Sequence, residues 1–231
     1  MLVGLFLIAV LAIVVTIQRW KQANEAWGEL SDRLGLFYSP PSLVTNSRRV
    51  EGTYKDRTIR IDVRLEGYGR SQQKYTRYRV QIDDRWPEVV EIESHQKGIL
   101  SRSPGGYETG HQTFDESFEV QVGVVEEAAE LLAHPEMLHE LLNLNSHFHS
   151  VYIRDGYLWC EEFRLAQRAL AMKQALDRML YAADHMKDAL DAVESDGDEG
   201  GDWEEEMLFP DLDEVVADGA EQAQEATGVA W

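Results

Sequence analysis

Cysteine is nearly absent from this 231-residue sequence, in which Cys160 is the only one. A single thiol excludes an intramolecular disulfide, so the sequence does not imply an oxidising compartment. Cys160 ends a run, Tyr157-Leu158-Trp159-Cys160, that is typical of a strand, which favours a buried, unreactive thiol over a nucleophile. The sequence also lacks a P-loop, a nucleophile elbow and a paired-carboxylate pattern. We therefore assign no catalytic residue and no cofactor.

Basic residues are missing from the last part of the chain. All 22 Lys and Arg lie at or before Lys187, whereas fifteen of the 42 acids lie from Asp191 onward. Most of the formal net charge of −20 therefore belongs to the end of the chain. A segment that repels itself in this way cannot form a core, which predicts a disordered acidic tail over residues 195–231. We expect no nucleic-acid partner.

Apolar residues are nevertheless scattered through the tail: Trp203, Leu208, Phe209, Leu212 and Val215. Pro210, followed by acids, would start a short helix with apolar residues on one side. Acidic segments with apolar residues commonly fold when they bind a groove, so these five residues form a candidate interaction motif. The alternative is a solvating tail whose apolar residues have no role.

The one long apolar run is at the beginning of the sequence. No charged side chain occurs from Met1 to Ile17, and Arg19, Trp20 and Lys21 follow. At about 1.5 Å per residue, a helix over this run nearly crosses a hydrocarbon core of ~30 Å, and an aromatic residue between cations is typical of the bilayer edge. A signal peptide would need a basic start and a small-residue cleavage site, and neither is present. Residues 1–21 are therefore predicted to form a single transmembrane anchor.

Residues 22–194 are predicted to form one soluble α+β domain. A helix should lead from residue 22 to about 36, and strands are predicted at 59–65, 78–82, 89–94 and 118–122, where the apolar period is two. A hairpin is expected over 151–160, and helices over 126–142 are interrupted at Pro135. The predicted architecture is a largely antiparallel sheet with flanking helices and a long C-terminal helix.

That last helix is predicted over residues 164–193. Its apolar residues alternate steps of four and three, as in a coiled coil: Leu165, Ala169, Met172, Leu176, Met179, Ala183, Met186, Leu190 and Val193. A homodimer through residues 165–193 is one interpretation. The other is a helix that lies across its own sheet, because Leu170 and Leu180 widen the apolar stripe.

The stretch from Thr109 to Val120 reads T-G-H-Q-T-F-D-E-S-F-E-V. Together with the helix and hairpin that follow, it resembles an uncharacterised family of bacterial membrane-anchored proteins with a T-G-x-x-x-F-D-x-x-F-x-V motif. The motif residues here are Thr109, Gly110, Phe114, Asp115, Phe118 and Val120. This sequence departs from the family at His111, where an acid is expected, and at Asp56, where glycine is expected. The resemblance implies domain limits and no activity; the residues themselves suggest core positions and a turn capped by Asp115.

Four arginines, Arg60, Arg64, Arg77 and Arg79, fall on the polar side of two predicted strands. If the strands are neighbours, one sheet face is basic, and it would suit anionic lipid, a protein partner or the tail. The alternative is an ordinary solvated face. A second group, His134, His139, His147 and His149, lacks the spacing of a zinc site on one helix face, so no metal is predicted.

These features predict a non-enzymatic interaction or scaffolding protein of a bacterial inner membrane, with a protein partner that binds through the acidic tail. A membrane-tethered ligand sensor is the alternative, and an enzyme with dispersed catalytic residues is a third.

The anchor predicts a topology that can be measured. Because Arg19 and Lys21 flank the apolar run on one side and no base precedes it, the positive-inside rule places the domain in the cytoplasm. A reporter fused after residue 195 should therefore show cytoplasmic activity. A chain that is soluble when intact, or that is cleaved near residue 17, would contradict the anchor.

Overall fold

The computed structural model describes residues 2–41, 47–68, 71–87, 89–95, 106–123 and 125–198. The helices in these ranges are α1 (Leu2–Leu34), α2 (Gln112–Ser117), α3 (Val125–Leu132), α4 (Pro135–His147) and α5 (Ala169–Asp198). The strands are β1 (Phe37–Ser39), β2 (Arg49–Tyr54), β3 (Arg57–Glu66), β4 (Gln73–Gln81), β5 (Val90–Ser94), β6 (Phe118–Val122), β7 (Ser150–Arg154) and β8 (Tyr157–Phe163). The chain divides into two units at residue 192, and the fold described here is that of residues 1–192.

One eight-stranded sheet carries the fold, in the order β1-β2-β3-β4-β8-β7-β5-β6. Every neighbouring pair is antiparallel. The prediction of an α+β fold with an antiparallel sheet and a long C-terminal helix is therefore confirmed.

The helices bury one face of the sheet. Successive strand residues point to opposite faces, so Ile59 and Ile61 of β3 share a face with Tyr78 and Val80 of β4. These side chains form one buried cluster with residues of the helices, including Trp27 of α1. The indole of Trp27 is fully buried and donates a hydrogen bond to the Ala166 carbonyl at 3.1 Å. α1 is thereby fixed to the segment that leads into α5.

Two tight turns explain how the hairpins close. Asp155 and Gly156 join β7 to β8 with φ of 54° and 71°, which confirms the predicted hairpin. Lys55 and Asp56 join β2 to β3 with φ of 50° and 61°, in the left-handed region that favours glycine. Asp56 is the position at which the family resemblance leads one to expect glycine.

The first helix runs without interruption from Leu2 to Leu34. The predicted anchor over residues 1–21 and the helix predicted from residue 22 to about 36 are therefore parts of one helix. Across the described ranges, no helix is both long enough and apolar enough to span a bilayer. The anchor over residues 1–21 stays a prediction.

Several boundaries differ from those predicted. The segment 37–39 was not predicted as a strand, because Pro40 and Pro41 follow it immediately. α5 begins at Ala169 and not at residue 164, because Arg164 is bound to β4 and is not helical. Its N–H donates to the Lys74 carbonyl, its own carbonyl accepts from the Thr76 N–H, and its φ is 83°. α5 continues to Asp198, past the predicted end of the domain. His147 ends α4 and His149 precedes β7, so these two histidines do not lie on one strand.

The apolar stripe of α5 packs on the chain's own core. The stripe residues Met172, Leu176, Met179, Ala183 and Met186 are each 0% exposed. Of the two residues expected to widen the stripe, Leu180 is 3% exposed and so does, whereas Leu170 is 59% exposed and does not. Tyr181 is likewise 56% exposed. α5 therefore packs on its own core, in agreement with the second interpretation. A homodimer through residues 165–193 stays a prediction, and it would have to use side chains other than these buried ones.

This packing predicts effects of very different size for two leucines of α5. Leu176→Ala should lower the free energy of unfolding by about 2–5 kcal/mol, because it opens a cavity in the core. Leu170→Ala, at an exposed position, should change it by less than about 0.5 kcal/mol. Urea denaturation at two protein concentrations measures both effects. A denaturation midpoint that rises with protein concentration would show instead that α5 packs against a second copy.

Candidate functional site: the outer face of the sheet

The side chains that point away from the helices form the outer face of the sheet. On the central strands these are Arg60, Asp62 and Arg64 of β3, Tyr75, Arg77 and Arg79 of β4, Tyr157, Trp159 and Glu161 of β8, and Ser150, Tyr152 and Arg154 of β7. None of them belongs to the hydrophobic cluster under the helices. The four arginines predicted to share a face therefore do so.

Carboxylates neutralise much of the expected basic face. Asp62 accepts hydrogen bonds from Arg60 at 2.8 Å and from Arg77 at 2.9 Å, on its own strand and across to β4. Glu161 of β8 accepts two hydrogen bonds from Arg64, at 2.8 and 2.9 Å. The side chains of Asp62 and Glu161 are only 8% and 3% exposed. The face is thus a network of ion pairs, and the prediction of a simply basic surface is corrected accordingly.

Arg79 is different from the other three arginines. No carboxylate in the described part of the chain pairs with it, and no described residue accepts a hydrogen bond from its Nε. Its guanidinium carbon instead lies 4.4 Å from the ring centre of Tyr157 and 5.3 Å from that of Trp159. Cation–π contacts of this kind hold a guanidinium flat without neutralising its charge.

The aromatic side chains extend this arrangement across two strands. Trp159 also lies 5.1 Å from the Arg77 guanidinium carbon, and its ring stacks on Tyr152 with 5.6 Å between centroids and 11° between planes. Burial, and then the charge of Glu161, raises the pKa of Tyr152 to about 12, so its phenol stays neutral at physiological pH. We call Arg77, Arg79, Tyr152, Tyr157 and Trp159 the arginine–aromatic ladder.

Sequence reasoning missed the three aromatic members of the ladder. The signal was present, since Tyr157 and Trp159 alternate with Leu158 and Cys160, which are fully buried on the core face. What the sequence could not supply was the pairing of β4 with β8, which places Trp159 opposite Arg79.

The family-motif residues have a structural role. Asp115 accepts hydrogen bonds from the backbone N–H and the hydroxyl of Thr109, at 3.0 and 2.8 Å, and from the Gly110 N–H at 3.2 Å. Phe114 and Phe118 stack 4.8 Å apart and are buried, as is Val120. Asp115 therefore caps the turn, as expected. The imidazole of His111 accepts from the Phe114 N–H, a capping role that an acid would also fill.

The residues of the predicted membrane flank lie in the middle of α1. Trp20 is 48% exposed and lies 5.7 Å from the guanidinium carbon of Arg48. Arg48 is itself almost fully buried and donates to Asn24 at 2.6 Å and to the Trp20 carbonyl at 3.4 Å. Arg19 and Lys21 are exposed, with Lys21 3.8 Å from Glu25. Arg48, which directly precedes β2, thus ties the start of that strand to α1 at the flank and one turn after it.

The remaining candidates do not come together in a site. His134 caps α4 through its backbone, His139 is exposed, His147 contacts Ser146 and Asn143, and His149 stacks on Tyr75. No group of metal-binding side chains occurs in the ranges that the structure covers. Burial raises the pKa of the Cys160 thiol, as expected for an unreactive cysteine. The tail motif, Trp203, Leu208, Phe209, Leu212 and Val215, lies outside the described residues.

A polar cavity of about 550 Å³ lies between α1 and the start of α5. Its lining includes the charged side chains Glu25, Glu29, Arg33 and Arg168. The lining therefore carries both signs of charge, and two of these side chains, Arg33 and Glu29, form an ion pair.

Comparison with known proteins adds little to this geometry. No protein-family model matches the chain, and no curated protein is significantly similar to it. One solved structure that aligns with this chain is that of the mycobacterial trehalose monomycolate transport factor A. The alignment covers 73% of this chain and 94% of that protein's chain, with a TM-score of 0.47 and 10% sequence identity. The outer face is therefore interpreted from its own residues.

The ion-pair network predicts a marked dependence of stability on Asp62. Asp62→Asn keeps the shape of the side chain but leaves Arg60 and Arg77 without a carboxylate, so the free energy of unfolding should fall by about 2–3 kcal/mol. Glu66→Gln is the control, because Glu66 lies on the same face, is 47% exposed and is 3.8 Å from Arg64. Its effect should stay below about 0.5 kcal/mol. Equal losses in the two variants, measured by urea denaturation, would contradict the network.

Proposed function

We propose that this protein is a membrane-tethered, non-enzymatic interaction module that binds a protein partner through the outer face of its sheet. The observation that carries the proposal is the arginine–aromatic ladder, which lies outside the core on the face opposite the helices. The anchor over residues 1–21 would hold the domain at the cytoplasmic side of a bacterial inner membrane. The tail motif would provide a second contact. This part of the proposal is based on the amino-acid composition of the tail.

The ladder has the composition of a protein–protein contact centre. Tyr, Trp and Arg are the residues most enriched among those that dominate binding energy, because they bury large areas and also offer polar groups. Here the rings and guanidinium groups already hold one another in place. Such preorganisation lowers the entropy lost on binding, since fewer rotamers are frozen when the partner arrives.

A membrane-tethered ligand sensor is the second candidate, and the cavity between α1 and α5 favours it. Its volume is about 550 Å³, within the range of small-molecule sites, but it is open to solvent on one side. Its lining is strongly polar, whereas most ligand pockets are largely apolar with a few polar groups. A small molecule retained by the full-length protein through purification would favour the sensor over the interaction module.

Site-specific crosslinking in intact cells tests the interaction surface. Thr58 is exposed on the outer face. It lies in the row across β3, β4 and β8 that also contains Gln81 and the ladder residue Tyr157. Thr58→benzoylphenylalanine in the full-length protein should give a discrete adduct on irradiation. The same replacement at Tyr181, which is 56% exposed on α5, serves as the matched control and should give no such adduct.

A further variant separates binding from proximity. Trp159→Ala, in the Thr58 crosslinking background, should reduce the adduct severalfold because it removes the centre of the ladder. Circular dichroism of the purified variant verifies that it is folded. Equal adducts from Thr58 and Tyr181, or an adduct that Trp159→Ala leaves unchanged, would show that the outer face is not the binding surface.

A further inference from the structure

The centre of the outer face carries more positive than negative charge. Arg60 and Arg77 both bond to the one carboxylate of Asp62, while Arg79 has no carboxylate partner in the described ranges. Arg60 and Arg79 are directly opposite each other in the β3–β4 register. Like charges at such positions repel, so a negative group placed between them would be stabilising.

Unmet hydrogen-bond donors mark the same place. Arg79 Nε and Trp159 Nε1 are buried atoms for which no acceptor is found among the described residues. The two residues are directly opposite each other in the β4–β8 register. Buried donors are normally satisfied, and those that are not call for an explanation such as an ordered water or ion beside them. A missing acceptor and a missing negative charge therefore coincide at Arg79.

Building on the proposed function, we propose that the partner presents an acidic polypeptide segment, one carboxylate of which binds Arg79 beside Arg60. Arg79 offers the planar donor fork that matches a carboxylate, and its stacking on Tyr157 and Trp159 holds that fork in place. Apolar or aromatic side chains beside the bound carboxylate then lie on Trp159 and Tyr152. The recognised class is an acidic segment interspersed with apolar residues.

The distribution of acids around the ladder favours a narrow segment over a bilayer surface. Glu51 lies beyond Arg60, and Glu91 and Glu93 lie beyond β7 on the same face. Glu51 and Glu91 keep 41% and 33% of their side chains exposed. Glu51 pairs with Arg49 and Glu91 with Arg154, so an anionic membrane would meet little net positive charge around the central arginines, whereas a peptide can reach the centre between these pairs.

The binding test uses the full-length protein in detergent micelles and fluorescence anisotropy. The probe is a labelled short peptide of alternating Glu and Tyr, and the matched peptide replaces each Glu by Gln. The Glu peptide should bind more tightly than the Gln peptide. Arg79→Gln should weaken binding of the Glu peptide by about tenfold or more, and Arg79→Lys by less, because the charge remains while the planar fork is lost.

Arg154→Gln is the matched control for these variants. Arg154 lies on the same face but pairs with Glu91 at 2.8 Å and is 53% exposed, so its replacement should leave affinity within about twofold. Equal affinity for the two peptides, or no binding of the Glu peptide at millimolar concentration, would overturn the acidic segment. So would Arg79-dependent binding to phosphatidylglycerol vesicles that exceeds binding to the peptide.

The two proposals fail in different ways. If Thr58 gives the specific adduct in cells but neither Arg79→Gln nor peptide charge affects binding, the outer face is an interaction surface for a partner of another chemistry. If the adduct is absent, the proposed function itself is wrong.

Discussion

The antiparallel pairing of β4 with β8 is the constraint on which the rest of the structure depends. It joins strands more than 75 residues apart in sequence, with Arg79 opposite Trp159 and Tyr78 opposite Cys160. On the core side, the Tyr78 hydroxyl donates to Glu162 at 3.1 Å, and burial raises the pKa of that carboxyl. The outer side carries the ladder. Because long-range pairing of this kind must overcome loop-closure entropy, contacts on both faces are needed to hold it.

The two faces solve the problem of burial differently. The core face excludes water with apolar side chains, in the ordinary way of a sheet covered by helices. On the outer face, long arginine and aromatic side chains cover two carboxylates, Asp62 and Glu161, that would otherwise be exposed. Buried acids of this kind are tolerated only when they are paired and fully hydrogen-bonded. The outer face is therefore ordered by polar contacts, although no carboxylate in the described part of the chain pairs with Arg79.

The sequence was sufficient to predict the local elements but not their partners. Alternation located β3, β5 and β6 to within about two residues, whereas β4 begins at Gln73, five residues before its predicted start, and β2 was not predicted as a strand. The hairpin of β7 and β8 followed from the residue types of its turn, Asp155-Gly156. β1 is too short for periodicity to detect. For the candidate site, the four arginines were placed on one face correctly, yet their charge was overestimated. Glu161, more than 80 residues away in sequence, becomes a partner of Arg64 only when β8 lies beside β4.

The continuity of α1 has a consequence for how the domain can move. Its 33 residues form a rod of about 50 Å at about 1.5 Å per residue, and Ala23, Trp27 and Leu30 of that rod are already fully buried in the domain core. If residues 1–21 cross a bilayer, no slack separates membrane from domain. The domain would then be held rigidly and not by a flexible linker, and the helix would set its distance from the membrane and its tilt. A partner would then meet the domain at one orientation relative to the membrane.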